Sequence, residues 1–140
     1  MNHKIRVLFL CTGNSCRSQM AEGWARHLLG DIVEAYSAGI EAHGLNPRAV
    51  RVMAEAGVDI SAQRSKTIGD LGGIEFDVVV TVCDRAHKSC PIFPGKVLKT
   101  ELPRLPRRRS YFAAGCSETL QFHEFCLIAS ILQLSVIISK

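Results

Sequence analysis

The stretch VLFLCTGNSCRSQMAEG, residues 7–23, joins an apolar run to an amphipathic segment through a short polar loop. Residues 4–10, KIRVLFL, have the β-rich apolar character of a strand that is covered on both faces of a parallel sheet. From Ser18 onward the apolar residues fall at helical spacing, and Gly30 is a suitable stop. The stretch therefore predicts a strand, a loop that begins at Cys11, and a helix.

The same alternation continues up to about residue 100. A second strand is predicted at IVEAYSAGI, and a helix is predicted at NPRAVRVMAEAG. Asn46 is a suitable N-cap for this helix, Pro47 suits its first position, and Gly57 suits its C-terminal end. The next segment, DISAQRSKTIGDLGG, is predicted to be a loop that can include a short helix. FDVVVTV (76–82) is the clearest strand in the sequence, and GKVLKT is a candidate fourth strand. Strands that alternate with helices form βαβ units, so we expect an α/β fold with a parallel sheet.

The composition is that of one globular domain spanning residues 1–140, with 47% hydrophobic and 21% charged residues. A formal net charge of +4 is too small a positive balance for a nucleic-acid-binding surface. The N-terminal apolar run is too short for a signal peptide, and CLIASILQLSVII near the C-terminus is too short for a membrane span. We expect a cytoplasmic monomer that binds neither nucleic acid nor membrane.

The cysteines of such a chain are more often catalytic, redox-active or metal-binding than paired in disulfides, because the cytosol is reducing. Zinc sites need closely spaced ligand pairs such as C-x2-C, and the spacings here offer none. We therefore predict no metal site. The six cysteines are Cys11, Cys16, Cys83, Cys90, Cys116 and Cys126.

Cys11 lies at the carboxyl end of the first predicted strand, where open parallel sheets bind their ligands. The loop after it can turn its backbone N–H groups inward, since Gly13 allows a positive φ and Asn14 tolerates one. The dipole of the next helix adds positive potential, and the planar fork of Arg17 can bind two oxygens of a tetrahedral oxyanion. The same groups stabilise a thiolate, so Cys11 is predicted to be a nucleophile.

We refer to residues 12–18 as the oxyanion loop. The alternative interpretation, a buried structural Cys11 and a surface Arg17, is disfavoured by the strand and helix that flank the pair. The predicted oxyanion-binding residues are Thr12, Gly13, Asn14, Ser15, Cys16, Arg17 and Ser18.

The C-x5-R form of this loop resembles that of the low-molecular-weight tyrosine phosphatase superfamily. The longer string CTGNSCRSQMAEGW is similar to the thioredoxin-coupled arsenate reductases that are built on the same fold. The resemblance continues through YSAGIEAHGLNPRAV, GVDIS, FDVVVTVCD and CPIFPGKV, and it covers about residues 5–99. It implies a three-layer fold in which a central four-stranded parallel sheet is flanked by helices.

The resemblance also implies a reaction, the reduction of arsenate to arsenite, with Arg17 and three cysteines as catalytic residues. In that reaction Cys11 attacks arsenic, and Cys83 then attacks the Cys11 sulfur and expels arsenite. Cys90 next moves the disulfide onto the accessible segment 83–90, where thioredoxin reduces it. Phosphate and sulfate are the expected analogues of arsenate. A phosphatase needs only Cys11, so Cys83 and Cys90 separate the two activities unless they are small structural residues.

Some members of the family hold a potassium ion near this loop, and Asn14, Glu22 and Ser37 match that site. Lys66 stands where those members have an acidic residue, and its ammonium group can replace the ion. We therefore expect no required cofactor or metal ion.

The resemblance ends abruptly near Lys99, and residues 100–140 form an unmatched tail. The general-acid Asp-Pro pair of the family has no counterpart, because no aspartate follows Asp84. We hypothesise that the tail comes from a shifted reading frame or a recombined end, which translation of the other two frames of the coding DNA would test. The alternative is a genuine variant whose tail still supplies a covering helix. The alternatives to arsenate reduction are a phosphatase on the same fold and an oxyanion-binding protein with impaired catalysis.

Overall fold

In the computed structural model of the chain, the described residues are 3–82 and, for the backbone alone, 96–99. The first four elements are strand β1 (Ile5–Cys11), helix α1 (Arg17–Leu29), strand β2 (Val33–Gly39) and helix α2 (Pro47–Glu55). A short 3₁₀ helix (Ile68–Leu71) follows, and then strands β3 (Val78–Thr81) and β4 (Lys96–Lys99). The predicted order of strands and helices is confirmed, with small shifts at the element ends.

The four strands form one parallel sheet in the order β2-β1-β3-β4. At the carboxyl edge, Cys11 of β1 is paired with Gly39 of β2, and Leu10 is paired with Thr81 of β3. The predicted α/β fold with a four-stranded parallel sheet flanked by helices is confirmed. Because β1 lies between β2 and β3, the carboxyl ends of all three strands lie side by side at the edge of the sheet that holds Cys11.

The core lies on both faces of the sheet. Leu8 and Leu10 are fully buried and pack with Leu71 and Phe76 on the face of the 3₁₀ helix. Side chains alternate along a strand, so Val7 and its i+2 neighbours point to the other face. Helix α1 packs on β1 and β2, and its Trp24 is buried.

The ends of the two helices differ. The Asn46 side chain accepts a hydrogen bond from the Arg48 amide, and Pro47 is the first residue of α2, as the sequence predicts. Gly57 closes that helix with a φ of 85°, which favours glycine. Gly30 directly follows the last residue of α1, so the predicted stop is confirmed, and its φ of −57° is right-handed.

No helix among the described residues is both long and apolar enough to cross a membrane. The tail of residues 100–140 lies outside those residues, and so does the covering helix that a genuine tail would supply. The assignment of residues 1–140 to one domain stays a prediction.

Candidate active site

The candidate site is built on the loop between β1 and α1. Cys11, the last residue of β1, is 5% exposed, and α1 begins six residues later at Arg17. The parallel neighbours of β1 therefore place the starts of two other loops beside the oxyanion loop. The Gly39 end of β2 leads into residues 40–46, and β3 leads into Val82.

The peptide carbonyls at the start of the loop face outward, because each of them accepts a hydrogen bond from outside. The donors are backbone amides of residues 40–46 and the amide group of the Gln19 side chain. The pairs are Ile40 to Cys11 (3.2 Å), Glu41 to Thr12 (2.9 Å), His43 to Gly13 (2.9 Å), Asn46 to Ser15 (3.0 Å) and Gln19 to Asn14 (3.1 Å). A peptide unit is planar and trans, so carbonyls that point outward turn the following N–H groups toward the loop interior.

The sulfur of Cys11 lies inside this loop and is contacted by two polar groups. The backbone N–H of Asn14 donates to Cys11 Sγ at 3.1 Å, and Ser18 Oγ lies 2.8 Å from the same sulfur. Ser18 Oγ also accepts a hydrogen bond from Asn14 Nδ2 at 2.9 Å, which leaves its own proton available for the sulfur. Donors directed at the sulfur stabilise negative charge on it, so the surroundings of Cys11 suit a nucleophilic thiolate.

Asn14 is the residue that takes the left-handed conformation in the loop, with a φ of 44°. Its side-chain oxygen accepts from Gln19 Nε2 and from the Lys66 backbone N–H, both at 2.9 Å. The Asn14 side chain therefore connects the loop to α1 and to the segment before the 3₁₀ helix. The positive φ that Gly13 was expected to allow falls on Asn14 instead.

Gly13 is small for a different reason, which is the close approach of His43. A Cβ atom placed on Gly13 would lie 2.4 Å from His43 Nδ1, well inside van der Waals contact. The Gly13 carbonyl oxygen also accepts a hydrogen bond from Ser65 Oγ at 3.2 Å. The loop is thus held from the segment after β2 and from the segment before the 3₁₀ helix.

Arg17 is exposed at the N-terminus of α1, as expected for a group that must reach a ligand. Its Nη1 lies 3.4 Å from the carbonyl oxygen of Val82, the residue that follows β3. The guanidinium therefore connects the oxyanion loop to the chain that leads to Cys83. Helix α1 is long enough for its N-terminal dipole to favour an anion at this position.

Cys16 differs from Cys11 although both thiols belong to the same loop. Its Sγ lies 3.8 Å from Met20 Sδ. Burial raises the pKa of the Cys16 thiol, an effect that Arg17 opposes and Cys11 reinforces. Cys16 is therefore less suited than Cys11 to nucleophilic chemistry near neutral pH.

Behind the loop lies a group of three charged residues and one serine that we call the Glu22 cluster: Glu22, Arg26, Lys66 and Ser37. The carboxylate of Glu22 is 2% exposed and lies 2.6 Å from Arg26 Nη2 and 3.7 Å from Lys66 Nζ. Ser37 donates its hydroxyl hydrogen to the same carboxylate. Burial lowers the pKa of Lys66, while the neighbouring Glu22 opposes that shift. Within residues 3–82, no group of three His, Cys, Asp or Glu side chains is arranged to hold a metal ion.

Of the seven predicted oxyanion-loop residues, Asn14 and Ser18 contact the Cys11 sulfur, and the oxyanion-binding role of all seven stays a prediction. Cys83 and Cys90, the two other predicted redox cysteines, lie outside the described residues. Three supporting residues were missed by sequence reasoning: Gln19, His43 and Ser65. Gln19 alone gave a signal, since it is a polar side chain in the first turn of a helix that is buried there.

Comparison with known proteins finds a matching family model and similar arsenate reductases. The model of the family described as low molecular weight phosphotyrosine protein phosphatase matches residues 6–106 of the chain. The arsenate reductase of Bacillus subtilis (strain 168) is 58% identical over 97 residues, which are 69% of this chain and 69% of that protein.

Two solved structures of arsenate reductases are similar to the fold. A structure described as an arsenate reductase in the phosphate binding state has a TM-score of 0.67 and 27% identity, covering 92% of this chain and 98% of that one. The Corynebacterium glutamicum thioredoxin-dependent arsenate reductase has a TM-score of 0.70 and 28% identity, covering 98% of this chain and 64% of that one.

Proposed function

The chain belongs to the low-molecular-weight phosphotyrosine protein phosphatase family and, within it, to the arsenate reductases, and on this premise we propose that it reduces arsenate to arsenite at Cys11. The observation that carries the proposal is the buried Cys11 sulfur, which the Asn14 amide and the Ser18 hydroxyl contact inside a loop of outward-facing carbonyls. Such a loop suits a tetrahedral oxyanion above a nucleophile.

Arsenate binding is the first proposed step. The inward N–H groups of the oxyanion loop and the guanidinium of Arg17 bind the arsenate oxygens, and the α1 dipole adds to the attraction. Phosphate and sulfate have the same tetrahedral shape and negative charge, so they are expected to bind as analogues. The similar arsenate reductase in its phosphate binding state supports this expectation.

The chemical step transfers two electrons. The Cys11 thiolate forms an S–As bond, and one arsenate oxygen takes up protons and leaves as water. The thiolate of Cys83 then attacks the Cys11 sulfur, and the S–As bond breaks with its electron pair remaining on arsenic. As(V) becomes As(III), arsenite leaves, and a Cys11–Cys83 disulfide holds the oxidising equivalents.

Relay of the disulfide is the third step. Cys90 attacks Cys83, frees Cys11 and leaves a Cys83–Cys90 disulfide, which a dithiol protein reduces. Two contacts support the participation of Cys83: β3 is the direct neighbour of β1, and Arg17 lies against the carbonyl of Val82, the residue that precedes Cys83. The chain therefore lies next to the oxyanion loop at Val82, the last described residue before Cys83.

Thioredoxin is the proposed reductant and the cytoplasm the proposed compartment. The similar Corynebacterium glutamicum protein is described as thioredoxin-dependent. Catalytic thiols that pass through a disulfide in each turnover need a reducing compartment in which thioredoxin is itself kept reduced.

The proposal is tested by arsenate-dependent NADPH oxidation with thioredoxin and thioredoxin reductase. Turnover should be lost in Cys11→Ser, Cys83→Ser and Cys90→Ser, and it should be retained in Cys126→Ser, a cysteine of the tail. Without thioredoxin, Cys90→Ser should still release one arsenite per protein, because the Cys11–Cys83 disulfide can form once. Release of no arsenite by Cys90→Ser, or unchanged turnover in Cys83→Ser, would contradict the relay.

Phosphatase activity is the second candidate, because the family is defined by phosphatases and the reaction needs only the Cys11 loop. We expect it to be low, since no aspartate after Asp84 can protonate a leaving oxygen. Hydrolysis of p-nitrophenyl phosphate that Cys83→Ser and Cys90→Ser leave intact, without any arsenate reduction, would favour this candidate. Tight sulfate binding with neither activity would favour an oxyanion-binding protein with impaired catalysis.

A further inference from the structure

Glu41 and His43 form a pair beside the oxyanion loop that the proposed chemistry does not use. His43 Nε2 lies 2.7 Å from Glu41 Oε2, and the two side chains are 54% and 64% exposed. Both residues also donate backbone N–H groups to the loop, Glu41 to the Thr12 carbonyl and His43 to the Gly13 carbonyl, each at 2.9 Å. The pair is therefore attached to the loop through its backbone and oriented by its own side-chain contact.

The imidazole of His43 occupies the space that a side chain at residue 13 would fill. An ideal Cβ on Gly13 would lie 2.4 Å from His43 Nδ1 and 2.9 Å from its Cγ. The ring thus packs directly against the Gly13 α-carbon. Since Glu41 holds the far nitrogen of the ring, the imidazole cannot rotate away from Gly13 without breaking that contact.

The peptide between Gly13 and Asn14 transmits this contact to the catalytic sulfur. The carbonyl oxygen of that peptide accepts from the His43 amide, and its N–H, which belongs to Asn14, donates to Cys11 Sγ at 3.1 Å. Because the peptide is planar and trans, the carbonyl and the N–H point in opposite directions and turn together. Fixing the outer end of the peptide therefore aims the inner end at Cys11.

We propose that His43, oriented by Glu41, is a positioning residue that sets the affinity of the oxyanion loop by fixing the Gly13–Asn14 peptide. The inference rests on the oxyanion site of the proposed function and is independent of the cysteine relay. An exposed pair of this kind contributes little to the stability of the fold. The role of the pair should therefore be visible in ligand binding and not in unfolding.

Sulfate binding to the full-length reduced protein, measured by isothermal titration calorimetry, tests the role. His43→Leu keeps a side chain against Gly13 but loses the contact with Glu41, and it should weaken sulfate binding about fivefold, the effect of one hydrogen bond. His43→Gln can still donate to Glu41 at the position of Nε2 and should bind within about twofold of the parent. Glu41→Ala should match His43→Leu, although its own side chain does not contact the loop.

His27→Leu is the matched control, because it makes the same change at an exposed histidine near the far end of α1. It should bind sulfate as the parent does, and the melting temperatures of the His43 and Glu41 variants without sulfate should stay close to that of the parent. Parental affinity in His43→Leu, or equal loss in His43→Leu and His43→Gln, would overturn the positioning role. Absence of sulfate and phosphate binding in the parent would overturn the oxyanion site itself.

Discussion

Two polar regions of the molecule, the oxyanion loop and the Glu22 cluster, pair their polar groups in opposite ways. In the oxyanion loop the outer carbonyls are paired with neighbouring segments, while inner donors of Asn14 and Ser18 are directed at the Cys11 sulfur. In the Glu22 cluster the carboxylate is already surrounded by Arg26, Lys66 and Ser37. The loop presents donors to an anion, whereas the cluster contains its own cations.

Because of this difference, substitutions in one region should change ligand affinity, and substitutions in the other should change the stability of the fold. A loop whose inner donors await an anion should lose affinity, but little stability, when a ligand-binding group is removed. A buried carboxylate with its own partners should lose stability, but little affinity, when the carboxylate is removed. Variants in the two regions should therefore change different measured quantities.

Arg17→Lys should give the largest effect, a decrease of about a hundredfold in oxyanion affinity, since lysine keeps the charge but loses the planar fork. The free energy of unfolding should change by less than about 0.5 kcal/mol, because Arg17 is exposed and its contact with Val82 is long. Sulfate titration and urea denaturation measure the two quantities. Arg51→Lys, on the exposed side of α2, is the matched control and should change neither.

A large loss of stability in Arg17→Lys would show that this arginine is a structural group and would remove the contrast between the two regions.

Glu22→Ala should change stability instead of affinity, and it should lower the free energy of unfolding by about 2 kcal/mol. Loss of a fully buried partner costs about 3–5 kcal/mol, and the cost is smaller here because the side chains of Arg26 and Lys66 are 53% and 22% exposed. Urea denaturation measures the change. Glu55→Ala, at the exposed end of α2, should stay within about 0.5 kcal/mol of the parent.

Sulfate affinity of the folded Glu22→Ala protein should remain within about threefold of the parent, which is under 1 kcal/mol. If the affinity fell as far as in Arg17→Lys, the cluster would have to be regarded as part of the binding site.

Local signals predicted the fold because each of them acts within a few residues. Asn46 and Pro47 start α2 and Gly57 ends it, as the sequence indicates, since capping and positive φ are properties of single positions. The apolar runs of β1 and β3 likewise identify strands that are buried on both faces. Gly30 likewise follows the last residue of α1, as predicted, although its φ of −57° is right-handed.

The supports of the oxyanion loop could not be predicted in the same way, because they come from distant segments. Ser65 donates to Gly13 across 52 residues, and Gln19 donates to the carbonyl of Arg64 across 45. Neither the hydrophobic periodicity of a sequence nor the composition of its turns indicates contacts between such distant residues. Gly13 illustrates the point, since its small size reflects the approach of His43 and not its own φ.

The rate of Cys16 alkylation should depend on pH as expected for a thiol with a raised pKa. Burial raises the pKa of Cys16, so its thiolate fraction at a given pH is below that of an ordinary cysteine and its alkylation by iodoacetamide should be slow at pH 8. The rate should rise only as the pH passes above the ordinary range for cysteine. Peptide mass spectrometry after timed alkylation measures Cys11 and Cys16 in one sample.

The same shift has a defined sign for stability. A thiol whose pKa is raised by folding stabilises the fold fully below its unfolded pKa, and that contribution is lost as the pH rises through the folded value. The parent should therefore lose more stability than Cys16→Ser between pH 8 and pH 10. Alkylation of Cys16 that is already as fast at pH 8 as that of an ordinary cysteine would contradict the raised pKa of this thiol.

Potassium should have the smallest effect, since the Glu22 cluster already contains a cation close to the carboxylate. Lys66 Nζ lies 3.7 Å from Glu22, and Arg26 lies on the other carboxylate oxygen, so an added ion gains little there. The melting temperature should be equal in potassium and sodium chloride at the same ionic strength. Lys66→Asp replaces the ammonium group with a second carboxylate, and potassium should then raise its melting temperature by several degrees, because an ion that binds only the folded state stabilises it. A potassium-specific rise in the parent would mean that the Lys66 ammonium does not replace the ion, and the cluster would then resemble the loop in needing a ligand from solution.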